Sequence, residues 1–161
     1  KLFNSNKTTK NFNGTEVRLF TPYGPKDHEY RLIQSSVIKI IKGEYPILRN
    51  PNSVRDYIYV EDVVDAFIKI IFSNQNYENI IEIGSSNPTS TKAITEKIYS
   101  IMDVNREIEI HESSDEEQIL YMKADLSDAK EYLDWAPKIN LDEGIYNTVK
   151  WIKENYKVFY E

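Results

Sequence analysis

Val54-Arg55-Asp56-Tyr57-Ile58-Tyr59-Val60-Glu61-Asp62-Val63-Val64-Asp65-Ala66-Phe67 changes period in its middle. Tyr57 to Val60 alternate aromatic and aliphatic side chains and are rich in β-formers, which predicts a short strand. From Glu61 the spacing becomes helical: Val63, Phe67, Ile70 and Ile71 share one stripe, and Val64 and Ile68 widen it. Glu61 and Asp62 fall in the first turn, where the helix dipole favours carboxylates. The start of the stretch carries an arginine where the strand wants an apolar residue. The Arg55 guanidinium either binds a phosphate or carboxylate with its planar fork, or it pairs structurally with Asp56 or Glu61.

Upstream, Glu16 to Phe20 read as a strand that ends at Thr21-Pro22-Tyr23-Gly24-Pro25. Two prolines and a glycine make a fixed loop at the carboxyl end of a strand, where α/β sheets place their ligands. Arg31 to Lys42 predict an amphipathic helix with Leu32, Ile33, Val37, Ile40 and Ile41 inward and Gly43 as its cap. Tyr45 to Asn52, with Pro46 and Pro51, read as a link. Downstream, Asn79 to Ile83 predict a strand and Gly84 to Pro88 a turn. Ser90 or Thr91 then caps a helix with Ile94, Ile98 and Ile101 on its stripe. Glu107 to His111 alternate like an edge strand, and the acidic run that follows to Gln118 reads as a solvated loop. Asp128 to Leu133 predict a short helix. Asn140 with Glu143 resembles a capping box for a last helix with Leu141, Ile145, Val149 and Ile152 inward.

A chain of 161 residues is long enough to bury one core, so a single domain over 1–161 is expected. Without cysteine it has no disulfide, thiolate or zinc–sulfur chemistry, which fits a reducing cytoplasm. His28 and His111 lack partners at ligand spacing, so no metal is expected. No apolar run reaches membrane-spanning length, and no secretory leader is visible. Residues 1–56 hold ten Lys/Arg against five Asp/Glu, and residues 57–161 hold ten against twenty-one. The overall charge of −6 argues against nucleic acid, while the basic first third favours a small anionic ligand. The five glycines, Gly14, Gly24, Gly43, Gly84 and Gly144, are too far apart for a glycine-rich phosphate loop. Tyr146 and Lys150 have the spacing of a tyrosine–lysine catalytic pair, but they stand on the terminal helix and read as coincidence. No catalytic residue is assigned.

Arg55 to Val64 also resembles the signature of the extended short-chain dehydrogenase/reductase family, the NAD-dependent nucleotide-sugar epimerases and dehydratases. The blocks Arg18-Leu19-Phe20-Thr21-Pro22-Tyr23-Gly24-Pro25, Ile83-Gly84-Ser85-Ser86, Ala124-Asp125-Leu126-Ser127-Asp128-Ala129-Lys130 and Leu133-Asp134-Trp135-Ala136-Pro137 agree with it in order. So do Leu141-Asp142-Glu143-Gly144 and Thr148-Val149-Lys150-Trp151. The resemblance implies an α/β fold: the C-terminal, substrate-binding part of a Rossmann-type enzyme, with a small sheet and packed helices. Residues 1–25 would end the Rossmann half, and Lys1-Leu2 would be a remnant of the catalytic motif. In the intact enzyme NAD would take hydride from the sugar, giving a keto intermediate. This chain would grip the nucleotide-diphosphate sugar and not bind NAD alone. The resemblance places Arg55 on the diphosphate, Thr21 on sugar or phosphate, Ile47 and Leu48 at the base, Lys123 as a second cation and Tyr23 beside the cofactor. The family usually has asparagine in place of Thr21, which leaves the sugar unassigned, and often glycine in place of Arg49 beside the base-flanking segment. The implied partners are the missing N-terminal Rossmann half and, in some members, a second copy in a homodimer. A non-catalytic nucleotide-sugar binding module, or an interaction remnant of the fold, is the alternative.

Overall fold

Phe20 divides the first predicted strand from a second one that the sequence reads as a loop. The computed structural model describes residues 14–73, 77, 80–111 and 121–160. In chain order the elements are β1 (Val17–Leu19), β2 (Thr21–Tyr23), α1 (Leu32–Ile41), β3 (Ile47–Leu48), β4 (Val54–Arg55), β5 (Tyr57–Tyr59) and α2 (Val60–Phe72). They continue with β6 (Ile81–Ile83), β7 (Thr89–Ser90), α3 (Thr91–Ile101), β8 (Glu109–Ile110), α4 (Ser127–Leu133) and α5 (Leu141–Phe159). β1 pairs in parallel with β6, and β2 in parallel with β5, so the backbone changes partner across Phe20. The Phe20 amide still donates to Ile83 O at 3.0 Å, and the Thr21 amide donates to Asp56 O at 2.9 Å. Pro22 is tolerated because β2 has β5 as its one strand neighbour among the described residues, leaving an edge where a missing N–H costs nothing. β3 pairs in parallel with β8, and β4 runs antiparallel to β7.

β5 is buried on both faces, as strands of parallel sheets are. Tyr57 and Tyr59 join one core with Tyr23, Ile33 and Val37, against Ile94 and Ile98 of α3 and Ile145, Val149 and Ile152 of α5. Ile58 points the other way, into a second core with Val63, Ala66, Ile81, Ile83, Leu133 and Trp135. The predicted caps form. Ser90 accepts the Ala93 amide at 3.1 Å, Asn140 accepts the Glu143 amide at 3.0 Å, and Gly43 ends α1 at φ +77. The predicted stripe of α2 splits in two. Val63 and Ala66 turn inward, whereas Val64, Phe67, Ile68, Ile71 and Phe72 stay exposed, Phe72 by 76% and Ile71 by 69%. α2 thus carries an apolar face that the described residues leave uncovered. The acidic run at 112–118 and the motif remnant expected at Lys1-Leu2 lie outside the described residues.

Two carboxylates of the central stretch tie these layers together. Asp62 is buried and accepts the amides of Lys138 and Ile139, both at 3.0 Å, which fixes the chain ahead of α5 to the start of α2. Asp56 is fully buried. Its Oδ1 accepts the Ser85 amide at 2.6 Å and the Ser85 hydroxyl at 2.7 Å. Its Oδ2 accepts the amides of Ser86 at 2.9 Å and Ala124 at 2.8 Å. A side chain on Gly84 would come within 2.5 Å of Ala124 Cβ and 3.1 Å of the same Oδ2, so glycine is what lets the turn close on the carboxylate. Asp56→Ala leaves three backbone donors without an acceptor. At roughly 1–3 kcal/mol for each buried unsatisfied group, the expected loss is about 3 kcal/mol or more in a urea denaturation curve. A loss under about 1 kcal/mol contradicts this bonding.

Candidate functional site: an arginine-walled cavity

The strand pair β2–β5, the start of α1 and the segment from β3 to β4 enclose an open cavity of about 520 Å³. Each supplies a distinct chemistry. β2 contributes Thr21, β3 the apolar pair Ile47 and Leu48, and β4 contributes Arg55. Arg31 comes from the residue before α1, and Arg49 directly follows β3. Asp27 is the one carboxylate among the lining residues, set against three guanidiniums. An excess of positive charge in a concave wall concentrates anions there.

Arg55 is half-buried and does not pair with Asp56 or Glu61. Asp56 has spent both oxygens on the Ser85–Ser86 turn and Ala124, and Glu61 is exposed in the first turn of α2. Instead Arg55 Nη1 donates to the thioether sulfur of Met122 at 2.9 Å. A thioether is a weak acceptor, so the guanidinium keeps its capacity for an anionic ligand. Arg49 is exposed and forms no ion pair among the described residues. Arg31 pairs with Asp27, Nε to Oδ2 at 3.5 Å.

Tyr57 stands at the back of the cavity, and it also borders a second cavity of about 540 Å³ beside Ser85 and the loop ahead of α5. Burial pushes its phenol up to about 12, while the charges of Arg55 and Arg31 pull it down, which puts both guanidiniums within electrostatic reach of the ring.

The cavity thus brings together Arg55, Thr21, Ile47 and Leu48. Leu48 is buried, and Ile47 is 45% exposed with room to cover a flat ligand. Lys123 is exposed and stands outside the lining; the residue before it, Met122, is the one that meets Arg55. Tyr23 reaches the cavity wall, but its ring is core, packed edge-on against Tyr57 and Tyr59. Its hydroxyl donates to Leu141 O at 3.4 Å and abuts Gly144. Burial raises the Tyr23 pKa well above the ordinary phenol value, so it stays a neutral packing group. Tyr146, of the tyrosine–lysine spacing, is exposed on α5, with a groove against α3 beside it and no link to the cavity lining. Sequence reasoning missed Arg31, Asp27 and Tyr57 as cavity residues. The signal for the first two was the Asp27-x-x-x-Arg31 spacing just ahead of a helix.

Comparison with known proteins says to which family this α/β lobe with its cation-rich cavity belongs. The chain belongs to the NAD dependent epimerase/dehydratase family, whose model matches residues 2–84. It is 31% identical over 150 residues to a UDP-glucuronate 4-epimerase of Thermodesulfobacterium geofontis, covering 88% of this chain and 44% of that protein. It is 28% identical over 132 residues to UDP-glucuronic acid decarboxylase 3 of Arabidopsis thaliana, covering 80% of this chain and 38% of that protein. The fold is that of the UDP-glucose 4-epimerase of Thermotoga maritima, solved with UDP-glucose, at a TM-score of 0.88 and 23% identity. That match covers 96% of this chain and 50% of the solved one. The chain spans about half the length of the relatives it matches or less.

The Tyr57 environment sets a pH dependence. An unfolded tyrosine titrates near 10 and this one at about 12, so the folded state holds the proton that the unfolded state has lost. The stability that Tyr57 contributes is fully present below pH 10 and is lost as pH rises towards 12. Tyr57→Phe is expected to flatten the fall in stability between pH 10 and 12. Arg55→Ala is expected to move the phenol higher still, read by absorbance at 295 nm. A downward shift in Arg55→Ala contradicts the placement of the guanidinium.

Proposed function

We propose that this chain is the substrate-binding half of an NAD-dependent nucleotide-sugar enzyme, and that its cavity holds the diphosphate of a nucleotide sugar. The observation that carries the reading is the convergence of Arg31, Arg49 and Arg55 on one cavity with a single carboxylate. Planar guanidinium forks match phosphate oxygens two at a time. Ile47 and Leu48 give the apolar surface a nucleobase needs, and Thr21 offers a hydroxyl to the sugar or the phosphate. Relatives named for UDP-glucuronate, and a structural neighbour solved with UDP-glucose, support a UDP-sugar as the ligand class.

The reading places NAD outside the described residues. A dinucleotide pyrophosphate sits on a glycine-rich turn at a helix N-terminus. Here α1, α2, α3, α4 and α5 are entered through Arg31, Tyr59, Ser90, Leu126 and Asn140, with no glycine at any of these positions. Hydride chemistry is therefore assigned to a nucleotide-binding half and not to this chain. The exposed stripe on α2 and the exposed Leu19 of β1 support such a half as their cover.

Two measurements check the reading. In isothermal titration with a UDP-sugar, Arg55→Ala is expected to cost about 1.5–3 kcal/mol of binding, the range for a charge-assisted hydrogen bond. Arg55→Lys should recover part of it, with the melting temperature unchanged in both variants. Undiminished binding with a lowered melting temperature makes Arg55 a structural residue instead. For the exposed face, the wild-type chain is expected to bind a hydrophobic dye, and Ile71→Glu with Phe72→Glu to bind less. A strictly monomeric chain without dye binding contradicts an uncovered interface.

A further inference from the structure

We infer that Arg31 is the second phosphate-binding guanidinium of the cavity and that Asp27 is the positioning residue that aims it. This rests on the nucleotide-sugar reading above. Asp27 lies between β2 and α1, on a turn closed by its own amide, which donates to Gly24 O at 3.3 Å. Its Oδ1 accepts the His28 amide at 2.8 Å, and its Oδ2 lies 3.5 Å from Arg31 Nε. The Asp27 side chain is 18% exposed and that of Arg31 is 45% exposed. A largely covered carboxylate, fixed by a backbone amide, thus holds a more open guanidinium by its Nε edge. The two terminal nitrogens, with four of the five N–H donors, remain for a ligand.

Three further observations point those donors at the cavity. Arg31 and Arg55 both line it. Both also lower the pKa of the Tyr57 phenol, which puts both charges within electrostatic reach of the same ring. Leu32 and Ile33, the first residues of α1, form part of the same wall. The first amides of a helix have no intrahelical acceptor and carry its positive dipole end. A diphosphate presents two adjacent anionic groups, and one fork serves one of them. Arg55 on β4 takes one group, and Arg31, at the entry to α1, takes the other.

Asp27 has a rival role that makes the opposite prediction. A bare carboxylate in the wall of an anion site repels the ligand, and its removal would then tighten binding. Isothermal titration with UDP separates the two on the wild-type chain, Arg31→Ala, Asp27→Ala, Asp27→Asn and the double variant Asp27→Ala with Arg31→Ala. Arg31→Ala is expected to weaken UDP roughly tenfold or more, as loss of a charge-assisted bond does. Asp27→Ala weakens it by a smaller factor. Asp27→Asn, which keeps a neutral oxygen for the His28 amide, falls between wild type and Asp27→Ala. The double variant matches Arg31→Ala alone, because Asp27 acts through Arg31. Tighter binding in Asp27→Ala, or a further loss in the double variant, overturns the positioning role. Unchanged affinity in Arg31→Ala, with binding still lost in Arg55→Ala, overturns Arg31 as a ligand and leaves the nucleotide-sugar reading standing. No UDP binding by the wild-type chain overturns both.

Discussion

The buried carboxylate of Asp56 accepts four hydrogen bonds from three residues that are far from it in sequence, and it fixes the strand at the back of the cavity. It locks the turn after β6 and the backbone at Ala124 onto the start of β5. β5 is thereby held between two cores, with β2 along one side. Such a carboxylate is costly to bury unless each lone pair is used. Here backbone amides and a hydroxyl use them, so Asp56 needs no cation.

The freedom of Arg55 is the consequence. A neighbouring aspartate is the ordinary partner for an arginine, and a salt bridge between them would spend the guanidinium on structure. Because Asp56 turns inward and is already satisfied, Arg55 is left with Met122 sulfur and the open cavity. The same division recurs along the stretch. Asp62 turns inward to the amides of Lys138 and Ile139, while Tyr57 faces the cavity. Residues of one short segment build both the scaffold and the cavity wall.

Much of this was readable from the residues, where the signal is local. The helices at 32–41, 91–101 and 141–159, with the Ser90 and Asn140 caps, follow from periodicity and capping chemistry. Arg55, Thr21, Ile47 and Leu48 were assigned through the family resemblance, and they do share one cavity. What escaped depends on tertiary placement. β2 was hidden by Pro22, which argues against a strand until its edge position is known. The single stripe expected on α2 is two faces, Val63 and Ala66 inward and Val64, Phe67, Ile68, Ile71 and Phe72 exposed, because periodicity alone does not say which apolar residues meet the core. Arg31 and Asp27 were not assigned to the site, since their local spacing does not show that α1 starts beside β5. The role of Asp56 was not legible for the same reason: its partners Ser85, Ser86 and Ala124 lie 29, 30 and 68 residues away.

The most direct test of a diphosphate site between β2, α1 and β4 is an amide chemical-shift titration of the isotope-labelled chain with UDP-glucose. Saturable shifts centred on Thr21, Arg31, Leu48, Arg49 and Arg55, with the Ser85–Ser86 amides unmoved, are the expected result. Shifts confined to the loop at 137–142, or none at all at saturating ligand, would contradict it.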